Sequence, residues 1–384
     1  MTRRVAIVGA GWSGFRPITP DLSYKELAFE AATRAYADAG IDPRRDVQGF
    51  VTAAEDYHEG TSIFDEYTPD QLGGALRPMH TIAGDGLHAL AAAYMQIASD
   101  LMNVVVVEAH SKASNILNLS RITALALDPV MERPLAAHPS FIAGLEMQWL
   151  LAAGRFTLPQ CAAVAVKNKR NALANPIASF AVHIRLRDVL NSAPLAEPVT
   201  KLMAAPHADG CVVMVLADED TARGLKGKPV WIRGLGWATD TSALDSRGWS
   251  QARYARKAGN MAYHTAGVRS PRKEIDFAEI DDTFAHKELM HLEALGLARE
   301  GQAGAWTAEG GTQRAGEFPV NPSGGSLGFG ALLDATGLAR ALEVVWQLRG
   351  EAGARQLPKT NTGLAFAWRG LPTTSGVAAI LSSS

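Results

Sequence analysis

The chain has 384 residues, enough for two ordinary domains or one duplicated one. Lysine and arginine total 37 against 39 aspartates and glutamates, a formal charge of −2 that gives no basic field to attract nucleic acid or an anionic membrane. Two cysteines, Cys161 and Cys211, cannot build a disulfide framework; with no secretory pattern ahead of Val5 and no apolar run of about 18 residues, the expected setting is the cytoplasm.

Val5 to Val8 is a short apolar run after charged residues and predicts a buried strand. Gly9-Ala10-Gly11-Trp12-Ser13-Gly14 follows it and matches the spacing that lets a pyrophosphate approach a helix N-terminus. That geometry needs a helix to begin inside the motif. Pro17 and Pro20 intervene, and helical spacing starts only near Ser23. The motif is therefore expected to be a glycine-rich turn and not a nucleotide site. Tyr24 to Ala39 predicts a helix closed by Gly40. Gly49 to Ala53 predicts a strand, Leu87 to Met102 an apolar helix, and Val104 to Val107 a buried strand. Leu158 to Leu173 predicts another helix and Cys211 to Leu216 a strand of β-formers. This alternation indicates an α/β architecture with mostly parallel or mixed sheets. Residues 115–151 have no later counterpart and are expected to form an excursion that covers a site or meets another subunit.

After the Gly- and Lys-rich segment Gly224 to Lys228 the pattern recurs. Ala35-Tyr36-Ala37-Asp38-Ala39-Gly40-Ile41 returns as Ala262-Tyr263-His264-Thr265-Ala266-Gly267-Val268, and the apolar helix Leu87 to Met102 returns as Gly337 to Leu348. A duplicated fold is expected, with 1–227 as one half, 228–384 as the other, and a site where they meet.

Several collinear segments resemble the sterol-carrier-protein-type thiolases of the thiolase superfamily. They are the run Gln160-Cys161 to Asn175-Pro176, Asp209-Gly210, Glu293-Ala294-Leu295-Gly296-Leu297, Asn321-Pro322-Ser323-Gly324-Gly325 and Ala335-Thr336-Gly337. The resemblance covers nearly the whole chain. It implies a five-layer αβαβα thiolase fold of two duplicated halves, usually a homodimer. It also implies an acyl-CoA substrate, with coenzyme A as part of that substrate and no resident cofactor.

The family's nucleophile is a cysteine at the start of the first-half apolar helix, in a segment similar to Cys-Ala-Ser-Gly-x-x-Ala-Leu. Here that segment reads Ala83-Gly84-Asp85-Gly86-Leu87-His88-Ala89-Leu90, so Ala83 stands at the nucleophile's position. The His-Asp-x-Phe segment reads Asp281-Asp282-Thr283-Phe284, and Gly-His-Pro reads Gly330-Ala331-Leu332. The C-terminal loop reads Ala367-Trp368-Arg369-Gly370-Leu371. Ordinary cysteine thiolysis is not expected. The resemblance extends to cysteine-less relatives that act as retro-aldol lyases with a small OB-fold and zinc-ribbon partner. Such a reaction needs a base for a β-hydroxyl proton and a donor for the enolate. Asp281 is the first candidate base, its alternative being a solvated or paired acid at a strand end. Asp85 is a candidate for catalysis or for capping its helix, and His88 for the pocket or the core. Ala83, Ser323, Gly324, Gly325, Phe329, Trp368 and Arg369 are the expected substrate-lining positions. Trp368 and Arg369 either narrow the pocket, bind a carboxylate or phosphate, or fill an inactive site. His264, His286 and His291 have no metal-site spacing, and no metal is expected. An atypical acyltransferase without a cysteine stands beside the lyase as the enzyme reading, and the competing expectation is a non-catalytic subunit that scaffolds an active thiolase subunit or binds CoA thioesters.

Overall fold

The computed structural model describes residues 3–55, 58, 64–135, 137–370 and 374–384. Leu371 of the C-terminal loop lies outside them. The strands are β1 (Val5–Arg16), β2 (Gly49–Ala53), β3 (Met79–Ile82), β4 (Val104–Lys112), β5 (Pro194–Ala196), β6 (Val199–Thr200), β7 (Asp209–Asp218), β8 (Val230–Thr239), β9 (Phe277–Ile280), β10 (Thr362–Arg369) and β11 (Ser375–Ser382). The principal helices are α1 (Tyr24–Ala39), α2 (Gly86–Ala98), α3 (Pro139–Ala152), α4 (Leu158–Ala172), α5 (Arg253–Ala266), α6 (Ala285–Ala294), α7 (Gly325–Phe329) and α8 (Thr336–Arg349).

Nine strands form one mixed sheet in the order β3-β2-β4-β7-β1-β8-β11-β10-β9. Its two ends share a plan. β2 runs parallel to β4, β4 antiparallel to β7, and β7 antiparallel to β1. Likewise β9 runs parallel to β10, β10 antiparallel to β11, and β11 antiparallel to β8. A short pairing, Ala6 with Trp231 and Ile7 with Val230, joins the ends. Helix α1 covers β1 and β7 on one outer face, and α5 covers β8 and β11 on the other. Helices α2 and α8 pack against each other between the inner faces, in a core that includes Leu87, Leu90, Val107, Leu338, Leu342 and Val377. The result is five layers, αβαβα. Among the described residues no helix is long and apolar enough to cross a membrane.

The glycine motif after Val8 is not a turn. It is the continuation of β1, which runs to Arg16. Helix α1 lies so close that a Cβ on Gly9 would fall 2.4 Å from the Ala35 carbonyl oxygen, and one on Gly11 2.1 Å from that of Ala31. The other outer face repeats the device: a Cβ on Gly234 would fall 2.2 Å from the Ala262 oxygen, and one on Gly236 2.1 Å from that of Ala258. These glycines admit a helix backbone, not a phosphate.

The described residues of 115–151 include short helical turns, such as Leu119–Thr123, and most of α3. Glu146 on α3 anchors them to α6. Its carboxylate accepts from Lys287 Nζ at 2.7 Å and lies 3.0 Å from His286 Nε2, all three side chains being buried.

Candidate functional site

A cavity of about 750 Å³ is lined from both ends of the sheet and from the excursion, which contributes Leu119, Ser120, Thr123, His138, Pro139 and Ser140. Its charged and titratable lining includes Glu55, His58, Asp85, Lys169, His207, Asp334 and Arg369.

Asp85 is placed by the start of α2, where it is the N-cap. One carboxylate oxygen accepts from the Leu87 N–H at 2.8 Å. The other accepts from the Gly337 N–H at 2.8 Å, in the first turn of α8. The carboxylate therefore sits at the N-termini of both central helices, where partial positive charge favours an anion. Gly337 has to be glycine for this approach, because a Cβ there would lie 1.8 Å from the Asp85 carboxylate. Burial pushes the Asp85 pKa up to about 7, against the pull of the two N–H bonds. Asp85 is thus poised to hold or release a proton near neutrality.

A second group surrounds Asp334. Its carboxylate accepts the Glu55 N–H at 2.9 Å and lies 3.2 Å from His58 Nδ1. Glu55 pairs with Arg369 across the cavity wall. Burial raises the Glu55 pKa, and the guanidinium opposes it. His207 also lines the cavity and is exposed there.

Of the positions expected from sequence, Asp85, Trp368 and Arg369 come together at this cavity. Asp281 does not. It is fully buried, accepting from the Thr283 N–H at 3.1 Å and the Thr283 hydroxyl at 3.1 Å, with Arg340 at 3.3 Å. Burial raises its pKa and Arg340 opposes the rise. His88, in the first turn of α2, is half-buried and outside the lining; burial lowers its pKa to about 4, so it is neutral at neutral pH. Ala83 is exposed on the bend ahead of α2. Ser323 is bonded to Glu279 through its N–H at 2.9 Å and its hydroxyl at 2.7 Å. Gly324 and Gly325 press on Ala172 and Asp282, and Phe329 packs on Phe15. None of these four is among the cavity's lining residues.

Glu55, His58, Lys169, His207 and Asp334 were not singled out from sequence. One signal was available for the first two: they follow β2, and the carboxyl ends of parallel strands are where α/β sheets place their sites. Neither cysteine lines the cavity. Both are buried, and burial pushes Cys161 up to about 12 and raises Cys211 as well, so neither forms a ready thiolate. Among the described residues no cluster of three or more His, Cys, Asp or Glu is arranged for a metal ion.

Residues 236–383 match the family model for the thiolase C-terminal domain-like family. An acetyl-CoA acetyltransferase of Methanothermobacter thermautotrophicus is 31% identical over 392 residues, covering 98% of each chain. Sterol carrier protein 2 of Oryctolagus cuniculus is 30% identical over 390 residues, covering 94% of this chain and 69% of that protein. Among solved structures, the Ltp2-ChsH2(DUF35) aldolase superposes with a TM-score of 0.85 at 25% identity, covering 99% of this chain and 97% of its counterpart.

Proposed function

The chain belongs to the thiolase superfamily, and on that premise we propose that it makes or breaks a carbon–carbon bond beside an acyl-CoA thioester without a cysteine nucleophile. The observation that carries this reading is the cavity itself: it is open, contains no cysteine, and holds Asp85 between two helix N-termini. A retro-aldol cleavage needs no covalent acyl-enzyme. It needs a base for the β-hydroxyl proton, and Asp85 suits that task because its pKa lies near 7. The pair of His58 and Asp334 holds a second proton-transfer group beside it. Coenzyme A enters as part of the substrate, and no resident cofactor is required.

The similarity to an aldolase that is itself a complex with a second protein, ChsH2(DUF35), supports a partnered enzyme. The small OB-fold and zinc-ribbon protein expected from the resemblance is that partner, alongside a homodimeric chain. The excursion supports such contacts, since Leu117, Val130, Met131, Leu135 and Phe141 are exposed on it. Trp368 and Arg369 leave the cavity open instead of filling it, which favours an enzyme over a scaffold.

The test is purification with neighbouring gene products, followed by incubation with β-hydroxyacyl-CoA. A small partner should co-purify, and the thioester should split into a shorter acyl-CoA and an aldehyde or ketone. A complex with a cysteine-bearing thiolase, no ligand in this cavity and no cleavage would leave only the scaffold.

A further inference from the structure

Lys169 lies near the end of α4, is 4% exposed, and lines the cavity. Among the described residues its ammonium has one hydrogen-bond partner, the Leu327 carbonyl on α7 at 2.8 Å, and no carboxylate within ion-pair distance. Asp282, which acts on it electrostatically, is committed elsewhere. It accepts from Asn168 at 2.7 Å and from the Ser326 and Leu327 N–H groups at 2.7 and 3.2 Å, with Arg340 at 3.1 Å. An ammonium carries three N–H donors. Here the carbonyl satisfies one. A buried cation with a single neutral partner is costly until an anion arrives.

The cavity's other cations are differently placed. Arg369 is tied to Glu55, His58 lies beside Asp334, and Lys201 is exposed. Burial lowers the Lys169 pKa, as expected of an amine without a fixed counter-ion.

We propose that Lys169 is a catalytic residue, the cation that receives the enolate oxygen of the acyl-CoA thioester when the carbon–carbon bond breaks. The inference rests on the acyl-CoA reading above. Asp85 takes the β-hydroxyl proton, and the O–H electron pair becomes the new C=O bond. The Cα–Cβ pair moves to Cα and onto the thioester oxygen, which accepts an N–H bond from Lys169. The proton then returns to Cα, leaving a shorter acyl-CoA and a carbonyl product. An oxyanion in a dry site gains most from a donor already in place.

The test uses acetoacetyl-CoA, whose enolate has its own ultraviolet band, titrated with pH on the full chain. Bound to the wild type it should enolise about 1–3 pH units below its value in free solution, the shift a nearby opposite charge produces. Lys169→Met and Lys169→Gln should remove that shift while still binding the thioester; the glutamine retains a donor for Leu327, and circular dichroism verifies folding. Unshifted enolisation in the wild type, or an equal shift in a folded variant, overturns the role of Lys169 and leaves the acyl-CoA reading standing. Absence of saturable binding by the wild type overturns both.

Discussion

At Asp85 two influences oppose each other: burial favours the acid, and two helix N-termini favour the anion. Their balance near 7 fixes the sign of a pH effect. A base must be ionised, so turnover should rise with pH through about 7 and level off above it. Asp85→Asn should remove that limb and lower kcat by roughly 10²–10⁴-fold, as read from pH–rate profiles. Asp281 should behave differently. Asp281→Ala leaves the Thr283 donors and part of Arg340 without a buried acceptor, costing about 1–3 kcal/mol in urea unfolding. The limb through 7 should survive. Asp281 reads as a base because the family segment gives it a pocket position, the alternative being a paired acid at a strand end. Nothing local reveals that Arg340, 59 residues later, closes over it. Asp85 was legible because an acid just ahead of an apolar helix is a local signal.

Among elements, α1 and β2 match their sequence-based boundaries because apolar spacing is a property of neighbouring residues. Strand β1 did not: its second half is built of glycines that look like a turn until a helix is laid on them. Gly236→Ala would place a methyl 2.1 Å from the Ala258 carbonyl, and no flexible side chain is there to move. The variant should lose on the order of 1–3 kcal/mol or more, measured by thermal or urea unfolding. Gly337→Ala probes the site instead. Its methyl would meet the Asp85 carboxylate at 1.8 Å, so activity should fall by a larger factor than the stability loss explains, measured as kcat beside the unfolding midpoint.

For the molecule as a whole, two similar halves were legible because the repeat is written twice, and the five layers came from the family resemblance, whereas the contacts that build the cavity were not legible. The Glu55 N–H and Asp334 meet across 279 residues of chain, a contact no spacing rule reveals. The excursion joins this assembly through Glu146. Burial would raise its pKa, but Lys287 and His286 hold it down at about 2, against 4.5 for an unstrained glutamate. Its stabilising effect should be complete above about 4.5 and be lost as pH falls toward 2. Glu146→Ala should cost about 3–5 kcal/mol at neutral pH, because it leaves Lys287 charged and buried, and should flatten the acid limb of the stability curve. The shared carboxylate at α2 and α8 carries a further meaning. Two identical separate halves would each bring an acid to that meeting point, forcing two like charges into one dry space. In a single chain that obligation lapses: Ala335 stands at the α8 N-cap, the helix offers Asp85 its Gly337 N–H, and the nearby acid, Asp334, turns to Glu55 and His58 instead. The two halves thereby differ at this point: one helix brings the carboxylate, and the other answers it with a backbone N–H.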